Sequence, residues 1–99
     1  MVKHIVMFRL KDFVNQDIKN ANLQKMKEML EGLKNIISEL KSIEVGINFN
    51  ISSTAFDIVL ITEFDNRADL QAYIDHPEHQ KVIQFIRKIV ALRYVIDFE

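Results

Sequence analysis

The chain contains no cysteine, and only two glycines and one proline occur among its 99 residues. The lack of cysteine excludes disulfides, thiolate nucleophiles and zinc–cysteine sites, and it is compatible with a reducing compartment. Together with 48% hydrophobic and 27% charged residues, the scarcity of glycine and proline is typical of an ordered globular chain rather than a linker or a disordered tail. We therefore expect a single domain spanning residues 1–99.

The sequence also lacks a surplus of positive charge and any long apolar run. Thirteen Lys and Arg stand against fourteen Asp and Glu, which gives a net charge of −1. Nucleic acid, whose phosphates need neutralising cations, is therefore not an expected partner. The longest apolar runs, such as Ile5–Phe8 and Ile58–Ile61, contain four residues, against roughly 20 for a membrane helix. The segment Met1–Ile5 has no secretory signal pattern, so we expect a cytoplasmic protein without a membrane span.

The hydrophobic period changes along the chain in the order strand, helix, strand, strand, helix, strand. Alternation with a period of two predicts strands, and three- and four-residue spacing predicts helices. The predicted strands are Val2–Leu10, Ile43–Ile51, Phe56–Phe64 and Val90–Phe98; the predicted helices are Asn15–Leu40, a short helix capped by Asp65 or Asn66 that runs to about Asp75, and Pro77–Lys88. This order predicts an α+β fold, a ferredoxin-like β-α-β-β-α-β sandwich with a four-stranded antiparallel sheet.

The alternation further predicts which strand residues face the helices. These are Val2, His4, Val6, Phe8 and Leu10 in the first strand, Ile43, Val45, Ile47, Phe49 and Ile51 in the second, Phe56, Ile58, Leu60 and Phe64 in the third, and Val90, Leu92, Tyr94, Ile96 and Phe98 in the last. All the helices cover this face, so the other face of the sheet needs a different explanation.

On that second face, the strands keep apolar residues in the middle and charged residues at the ends. The apolar centre is predicted to contain Ile5, Met7, Val59, Ile61 and Val95, and the charged ends Lys3, Arg9, Asp57, Glu63, Arg93 and Asp97. An apolar centre with a charged rim is typical of a subunit interface. We expect a homodimer with its two sheets face to face about a two-fold axis, which closes a dimeric α/β barrel. The alternative is an antiparallel sheet with one wetted face.

The segment Tyr73–His79 concentrates a phenol and two imidazoles around the only proline. His79 recurs with Val82 and Ile86 at helical spacings, so it should face the apolar side in the first turn of the restarted helix. Burial and the positive end of the helix dipole both disfavour an imidazolium there, which leaves a neutral ring able to act as a general base. Tyr73, one turn before the proline, could donate a hydrogen bond to a developing enolate or alkoxide.

Several short motifs in a fixed order resemble one family. They are Lys3–Val6, Ile43–Gly46, Glu63-Phe64, Tyr73, His76–His79 and Val95–Phe98. In this order and spacing the sequence resembles the stress-responsive A/B barrel (Dabb) family over nearly the whole chain. The resemblance implies a dimeric α+β barrel, which agrees with the fold predicted from periodicity. The family's biochemical roles are mostly unassigned, but it includes plant stress-linked proteins and a plant olivetolic acid cyclase that uses neither metal nor organic cofactor.

In that cyclase the chemistry is assigned to a tyrosine and a histidine, which the motif places here at Tyr73 and His79. The resemblance places a further histidine at His4, where it would help to orient a ligand. At Ile58 the cyclase has another histidine lining its cavity, so the pocket here should be more apolar. By this resemblance we expect no cofactor, and a small apolar or carbonyl-bearing ligand.

Each candidate residue also has a structural interpretation. Tyr73 could be an aromatic at the edge of the core, and His4 and His79 could be hydrogen-bonded structural groups. His76 fits a helix cap or an exposed position; with the other two histidines it could form a metal site, although the spacing is weak and no supporting carboxylate is identifiable. Two functions therefore follow, a cofactor-independent enzyme that removes a proton α to a carbonyl, or a non-catalytic dimeric barrel that binds a small apolar ligand or acts in stress response.

Overall fold

The predicted order of strands and helices is confirmed over the whole chain. The computed structural model describes residues 1–99. Its strands are β1 (Val2–Leu10), β2 (Ser42–Ile47), β3 (Ile58–Phe64) and β4 (Val90–Phe98), and its helices are α1 (Gln16–Glu31), α2 (Arg67–Asp75) and α3 (Pro77–Ile89). The sheet order is β2-β3-β1-β4 with antiparallel neighbours throughout. This is a ferredoxin-like α+β fold.

The hydrophobic core lies between the helices and one face of the sheet. The alternate β1 residues predicted to face the helices are all buried, as are Val45 on β2 and Leu60 on β3. From the helix side, Met26 and Leu30 of α1 are fully enclosed. Burial of such side chains stabilises the fold by about 1.5–3 kcal/mol each, so the helix-covered face supplies the main packing energy of this small domain.

Helix α1 is shorter than predicted. It begins after Asn15, whose side chain accepts a hydrogen bond from the Ile18 N–H at 2.9 Å, but it ends at Glu31 rather than at Leu40. Gly32 opens a single 3₁₀ turn that ends at Asn35, since glycine costs about 1 kcal/mol in a helix relative to alanine. Beyond this point Leu33, Ile37 and Leu40 are buried from turns rather than from a continuing helix, and their helical spacing therefore misled the prediction.

The predicted second and third strands are both too long where they meet. Strand β2 ends at Ile47, and the side chains of Phe49 and Ile51, predicted to face inward, are 96% and 98% exposed. The Asn48 side chain accepts from the N–H of Asn50 at 2.9 Å, and the Asn50 side chain accepts from the following Ser52 N–H at 2.8 Å. Such local bonds compete with a strand ladder and form turns instead. Strand β3 consequently starts at Ile58 rather than at Phe56, which lies outside the strand beside Tyr94.

The two faces of β4 are opposite to the predicted ones. In the antiparallel pair with β1, His4 lies opposite Asp97, Val6 opposite Val95, and Phe8 opposite Arg93. Because directly opposed residues share one face of a sheet, Arg93, Val95 and Asp97 face the helices. Leu92, Tyr94, Ile96 and Phe98 lie on the open face instead, whereas Val90, before the bulge, packs against the core as predicted. The prediction was wrong because it assumed that the more apolar side of every strand packs against the helices.

This reversal makes the open face of the sheet more apolar than expected. Ile5, Ile61 and Ile96 form one row across three strands, and Met7, Val59 and Tyr94 form the next. Ile96 and Tyr94 are 63% and 57% exposed. Lys3 and Glu63 pair at 3.9 Å at one end of this face. Asp57, predicted at the opposite end, instead accepts from the Leu10 N–H at 2.7 Å and pairs with Lys19 of α1 at 2.9 Å.

The corner between α2 and α3 is built as predicted. Helix α2 is capped by Asn66, whose side chain accepts from the Asp69 N–H at 2.8 Å. His76 caps α3, because its Nδ1 accepts from the Glu78 N–H at 3.1 Å, and Pro77 occupies the first helical position. This corner places the last turn of α2 and the first turn of α3 side by side over β1. None of the three helices has the length and apolar character needed to cross a membrane.

Candidate active site

A cavity of about 470 Å³ lies between α3 and the helix-facing side of β1 and β4. Its volume falls within the range of about 300–1,000 Å³ that is common for small-molecule sites. Most of its lining is apolar, and the polar residues on its wall are His4, His79, Gln80, Arg87 and Arg93. The cavity thus combines an apolar interior with a few polar groups, among them two of the predicted site residues.

His79 is held in one tautomer by the helix corner. The residue is buried in the first turn of α3, and its Nδ1 lies 3.0 Å from the carbonyl oxygen of Ile74. A carbonyl oxygen can only accept, so Nδ1 donates this bond and carries the proton. In the neutral ring the lone pair is therefore on Nε2.

The surroundings of His79 keep the ring neutral. Burial is the main cause that lowers its pKa below the usual 6.5, and electrostatic interactions with His4, Arg93 and His76 lower it further. The bond to the Ile74 carbonyl acts in the opposite direction, since it favours the protonated ring. Near pH 7 the site therefore holds an uncharged imidazole with a free acceptor nitrogen, as the sequence predicted.

Tyr73 lies in the last turn of α2, immediately behind the cavity wall. Its side chain is fully buried, and its hydroxyl has no hydrogen-bond partner within the protein. The centre of its ring is 4.3 Å from that of His79, 5.1 Å from that of Phe64 and 6.4 Å from that of His4. Burial raises the pKa of the phenol well above its usual value, and the charge of Arg93 offsets this only in part. The hydroxyl therefore stays protonated and remains a donor without an acceptor.

His4 is the third member of this group and is fixed from β4. It is buried on the helix-facing side of β1, and its Nδ1 makes a close hydrogen bond to the Asp97 carboxylate. This contact orients the ring and leaves Nε2 as its other polar atom. The structure therefore brings His4, Tyr73 and His79 into one cluster beside the cavity.

Asp97 and Arg93 belong to this site but were not predicted there. Both were assigned to the rim of the open face, whereas Asp97 bonds His4 and Arg93 lines the cavity. The sequence did show that Arg93 and Asp97 lie on the same face of the last strand, because they are an even number of positions apart along the chain. The sequence alone did not show which face, and that depends on the register with β1.

Ile58 is not part of this cluster. It is buried on β3 and does not line the cavity that His4 and His79 share; it borders a separate hollow near Met7 and Gly46. His76 serves as the helix cap described above. No three side chains of the His, Cys, Asp or Glu type come together in a way that could hold a metal ion.

The family model for the stress responsive A/B barrel domain matches residues 2–99. The chain belongs to this family. The Dabb protein is 30% identical over 86 residues to the Arabidopsis thaliana stress-response A/B barrel domain-containing protein DABB1. That match covers 85% of this chain and 40% of the Arabidopsis protein, so the Dabb chain spans less than half of that relative.

Solved structures share the fold of this Dabb domain. A dimeric protein of unknown function with a ferredoxin-like fold from Bacteroides fragilis is 38% identical, with a TM-score of 0.90 over 99% of this chain and 94% of that one. A hydroxynitrile lyase from Passiflora edulis has a TM-score of 0.81 over 98% of this chain and 90% of that one. Its identity is 19%, so this second similarity concerns the fold alone.

Proposed function

We propose that this Dabb domain is a cofactor-independent acid–base catalyst that removes a proton α to a carbonyl of a small ligand bound in the cavity. One observation carries the proposal, the pairing of a neutral imidazole with a protonated, unpartnered phenol whose ring centres are 4.3 Å apart. One group can accept a proton and the other can donate a hydrogen bond. Enolisation requires these two abilities side by side.

In the proposed step, Nε2 of His79 takes the proton from the α-carbon of the substrate. The electron pair of the broken C–H bond moves into the carbonyl group and leaves an enolate oxygen, while the ring becomes an imidazolium. The hydroxyl of Tyr73 is enclosed behind the cavity wall, so its donation of a hydrogen bond to that oxygen requires the Tyr73 side chain to turn into the cavity. Return of the proton from the imidazolium to the carbon restores the neutral histidine. If the carbanion instead attacks a second carbonyl or cyano carbon, the alkoxide or imine anion that forms takes the proton from the imidazolium, which also restores the neutral histidine.

His4 and Asp97 have a positioning role in this proposal. The Asp97 carboxylate holds Nδ1 of His4, so the imidazole keeps one orientation at the cavity wall. A fixed polar group opposite the base can orient the substrate carbonyl, and correct orientation contributes strongly to rate in reactions of this type. The fold is compatible with an enzyme, because the Passiflora edulis protein that shares it is a hydroxynitrile lyase.

A screen of β-dicarbonyl compounds tests the catalytic proposal. Hydrogen–deuterium exchange at the carbon between the two carbonyls, followed by NMR, reports proton abstraction without requiring the natural substrate. Wild type should accelerate exchange of at least one compound, and Tyr73→Phe and His79→Ala should lose the acceleration. The matched control is Tyr94→Phe, which alters the second tyrosine of the chain, an exposed residue on the open face of the sheet. It should behave as wild type. Equal exchange rates in all four proteins would remove the proposed pair.

A non-catalytic ligand-binding barrel is the second candidate. It is favoured by the position of Tyr73 behind the cavity wall rather than on it. In that case an uncharged apolar probe such as N-phenyl-1-naphthylamine would bind in the cavity with the same affinity in wild type and Tyr73→Phe, and no carbonyl compound would show accelerated exchange.

We also infer that the domain forms a homodimer through the open face of its sheet. Two rows of apolar side chains cross this face, one ending in Ile96 and one in Tyr94 of the edge strand, and both of these residues are exposed in the single chain, as is Phe98 beyond them. Contiguous apolar patches of this kind mark interaction surfaces. The Bacteroides fragilis protein, 38% identical, is dimeric, which supports the same assembly here. Light scattering at micromolar concentration measures it directly, and a monomer would contradict it.

A further inference from the structure

Two of the four arginines have no partner, and both lie at the cavity. Arg9 stacks on the Phe56 ring at 5.0 Å and donates to backbone carbonyls, and Arg67 pairs with Glu99. Arg87 on α3 and Arg93 on β4 make neither an ion pair nor a hydrogen bond, and both line the cavity wall. Guanidinium groups are therefore free where a ligand would bind and engaged elsewhere.

The charge of the cavity wall differs from that of the whole protein. The chain has fourteen acidic residues and a net charge of −1, yet no Asp or Glu lines this cavity. The carboxylate of Asp97 is bonded to His4, which lines the cavity. The wall therefore presents two guanidinium groups with no lining carboxylate to neutralise them. Such a field favours an anion over a neutral or cationic ligand.

The two arginines approach the cavity from different elements. Arg87 lies in the last turns of α3, and Arg93 lies opposite Phe8 on the helix-facing side of β4. Between them the wall is apolar, with Val6, Ile83 and Ile86 among its residues. The charge of Arg93 also lowers the pKa of both Tyr73 and His79, in addition to the larger effect of burial on each.

We propose that the cavity binds an amphipathic organic carboxylate, with the carboxylate between Arg87 and Arg93 and its apolar chain or ring against the wall formed by α3 and β1. Guanidinium groups bind carboxylates in a planar, two-pronged geometry, and the apolar wall removes the rest of the ligand from water. The proposal rests on the function proposed for this cavity, since it names the substrate class of the same site. It places the substrate's reactive α-carbon near the acid–base pair by anchoring the acid end of the molecule.

The proposal is tested by measuring the binding of three probes that share an eight-carbon alkyl chain and differ in their head group. Octanoate, 1-octanol and octylammonium are titrated into the protein by calorimetry at low and at high salt. Octanoate should bind at least about fivefold more tightly than octanol, and octylammonium should bind more weakly than both. The preference for octanoate should shrink at high salt, because ions screen exposed charges. Benzoate, benzyl alcohol and benzylammonium repeat the comparison with a ring in place of the chain.

Variants locate the preference on the two arginines. Arg93→Gln and Arg87→Gln should each reduce the affinity ratio of octanoate to octanol, and of benzoate to benzyl alcohol, by about fivefold. Arg67→Gln, which alters an arginine outside the cavity, should retain the wild-type ratio. Equal affinity for the three head groups in both series, no binding of either carboxylate, or an undiminished preference in Arg93→Gln and Arg87→Gln would overturn the proposal.

The head-group preference measured by binding can be separated from catalysis. Tyr73→Phe should lose carbonyl exchange and keep the octanoate preference. A protein that prefers carboxylates but accelerates no exchange would contradict the catalytic proposal only, and a protein that catalyses exchange without preferring carboxylates would contradict only the ligand class.

Discussion

The two faces of the sheet contrast most clearly on β4, the edge strand next to β1. Toward the helices this strand presents Arg93 and Asp97, which join the cavity cluster. Toward the open side it presents a continuous apolar row that ends in Ile96 and Phe98. One strand thus turns its charged residues toward the helix side and most of its apolar residues toward the open face. Because successive side chains of a strand point to opposite faces of the sheet, alternate residues of β4 can serve the proposed active site and the residues between them the proposed dimer interface.

The largest effect is expected on the helix-facing side, from removal of the base. His79→Ala should lower the exchange rate of a responsive β-dicarbonyl compound by about 10²–10⁴-fold, the usual contribution of a general base. His76→Ala is the matched control, because it removes a histidine that caps α3. It should cost about 1 kcal/mol of stability and leave the rate nearly unchanged. Comparable rate losses in both variants would show that the effect is structural.

A charge on the open face should break assembly and spare the cavity. Ile96→Lys is expected to raise the dimer dissociation constant at least about 100-fold, because burying an unpaired charge costs several kcal/mol. Ile36→Lys is the control, since Ile36 is also exposed but follows α1 on the helix side. Analytical ultracentrifugation measures both. A dimer that survives the Ile96 change would place the interface on another surface.

The pH dependence of stability should come in part from the buried histidine of the cavity. The pKa of His79 is lowered in the folded protein, so the unfolded chain binds its proton more readily. Its favourable contribution is therefore complete above about pH 6.5, the ordinary histidine pKa, and is lost as the pH falls through the lower pKa of the folded state. Urea titrations from pH 8 to pH 5 should show a steeper loss for wild type than for His79→Gln. Parallel curves would contradict the assigned shift.

Much of the fold was predictable because local patterns and tertiary packing agree. Strand β1, the caps Asn15, Asn66 and His76, and the corner at Pro77 follow from alternation, capping chemistry and proline geometry. The predictions failed where a local pattern continued past its element. The helical spacing of apolar residues continues after Gly32, although helix α1 has ended. The alternation likewise continues through Asn48–Ile51 after strand β2 has ended, because asparagine side chains form turns there.

The candidate site was predicted only in part, for a similar reason. His4, Tyr73 and His79 could be proposed from the sequence because each lies on a recognisable apolar face or motif. Asp97 and Arg93 could not be placed, since a strand that is apolar on its outer side looks the same in sequence as one that is apolar on its inner side. Only the pairing of His4 with Asp97 across β1 and β4 settles the orientation. Ile58, chosen by resemblance, lies away from the cavity.

The buried hydroxyl of Tyr73 offers the most direct test of the acid–base pair. A structural tyrosine in this position would need a hydrogen-bond partner, and this one has none within the protein. Tyr73→Phe, examined by urea unfolding and by carbonyl exchange on the same sample, should keep wild-type stability or gain up to about 1 kcal/mol while its exchange rate falls at least about tenfold. A stability loss of more than about 1 kcal/mol with an unchanged exchange rate would show instead that the hydroxyl supports the fold and takes no part in chemistry.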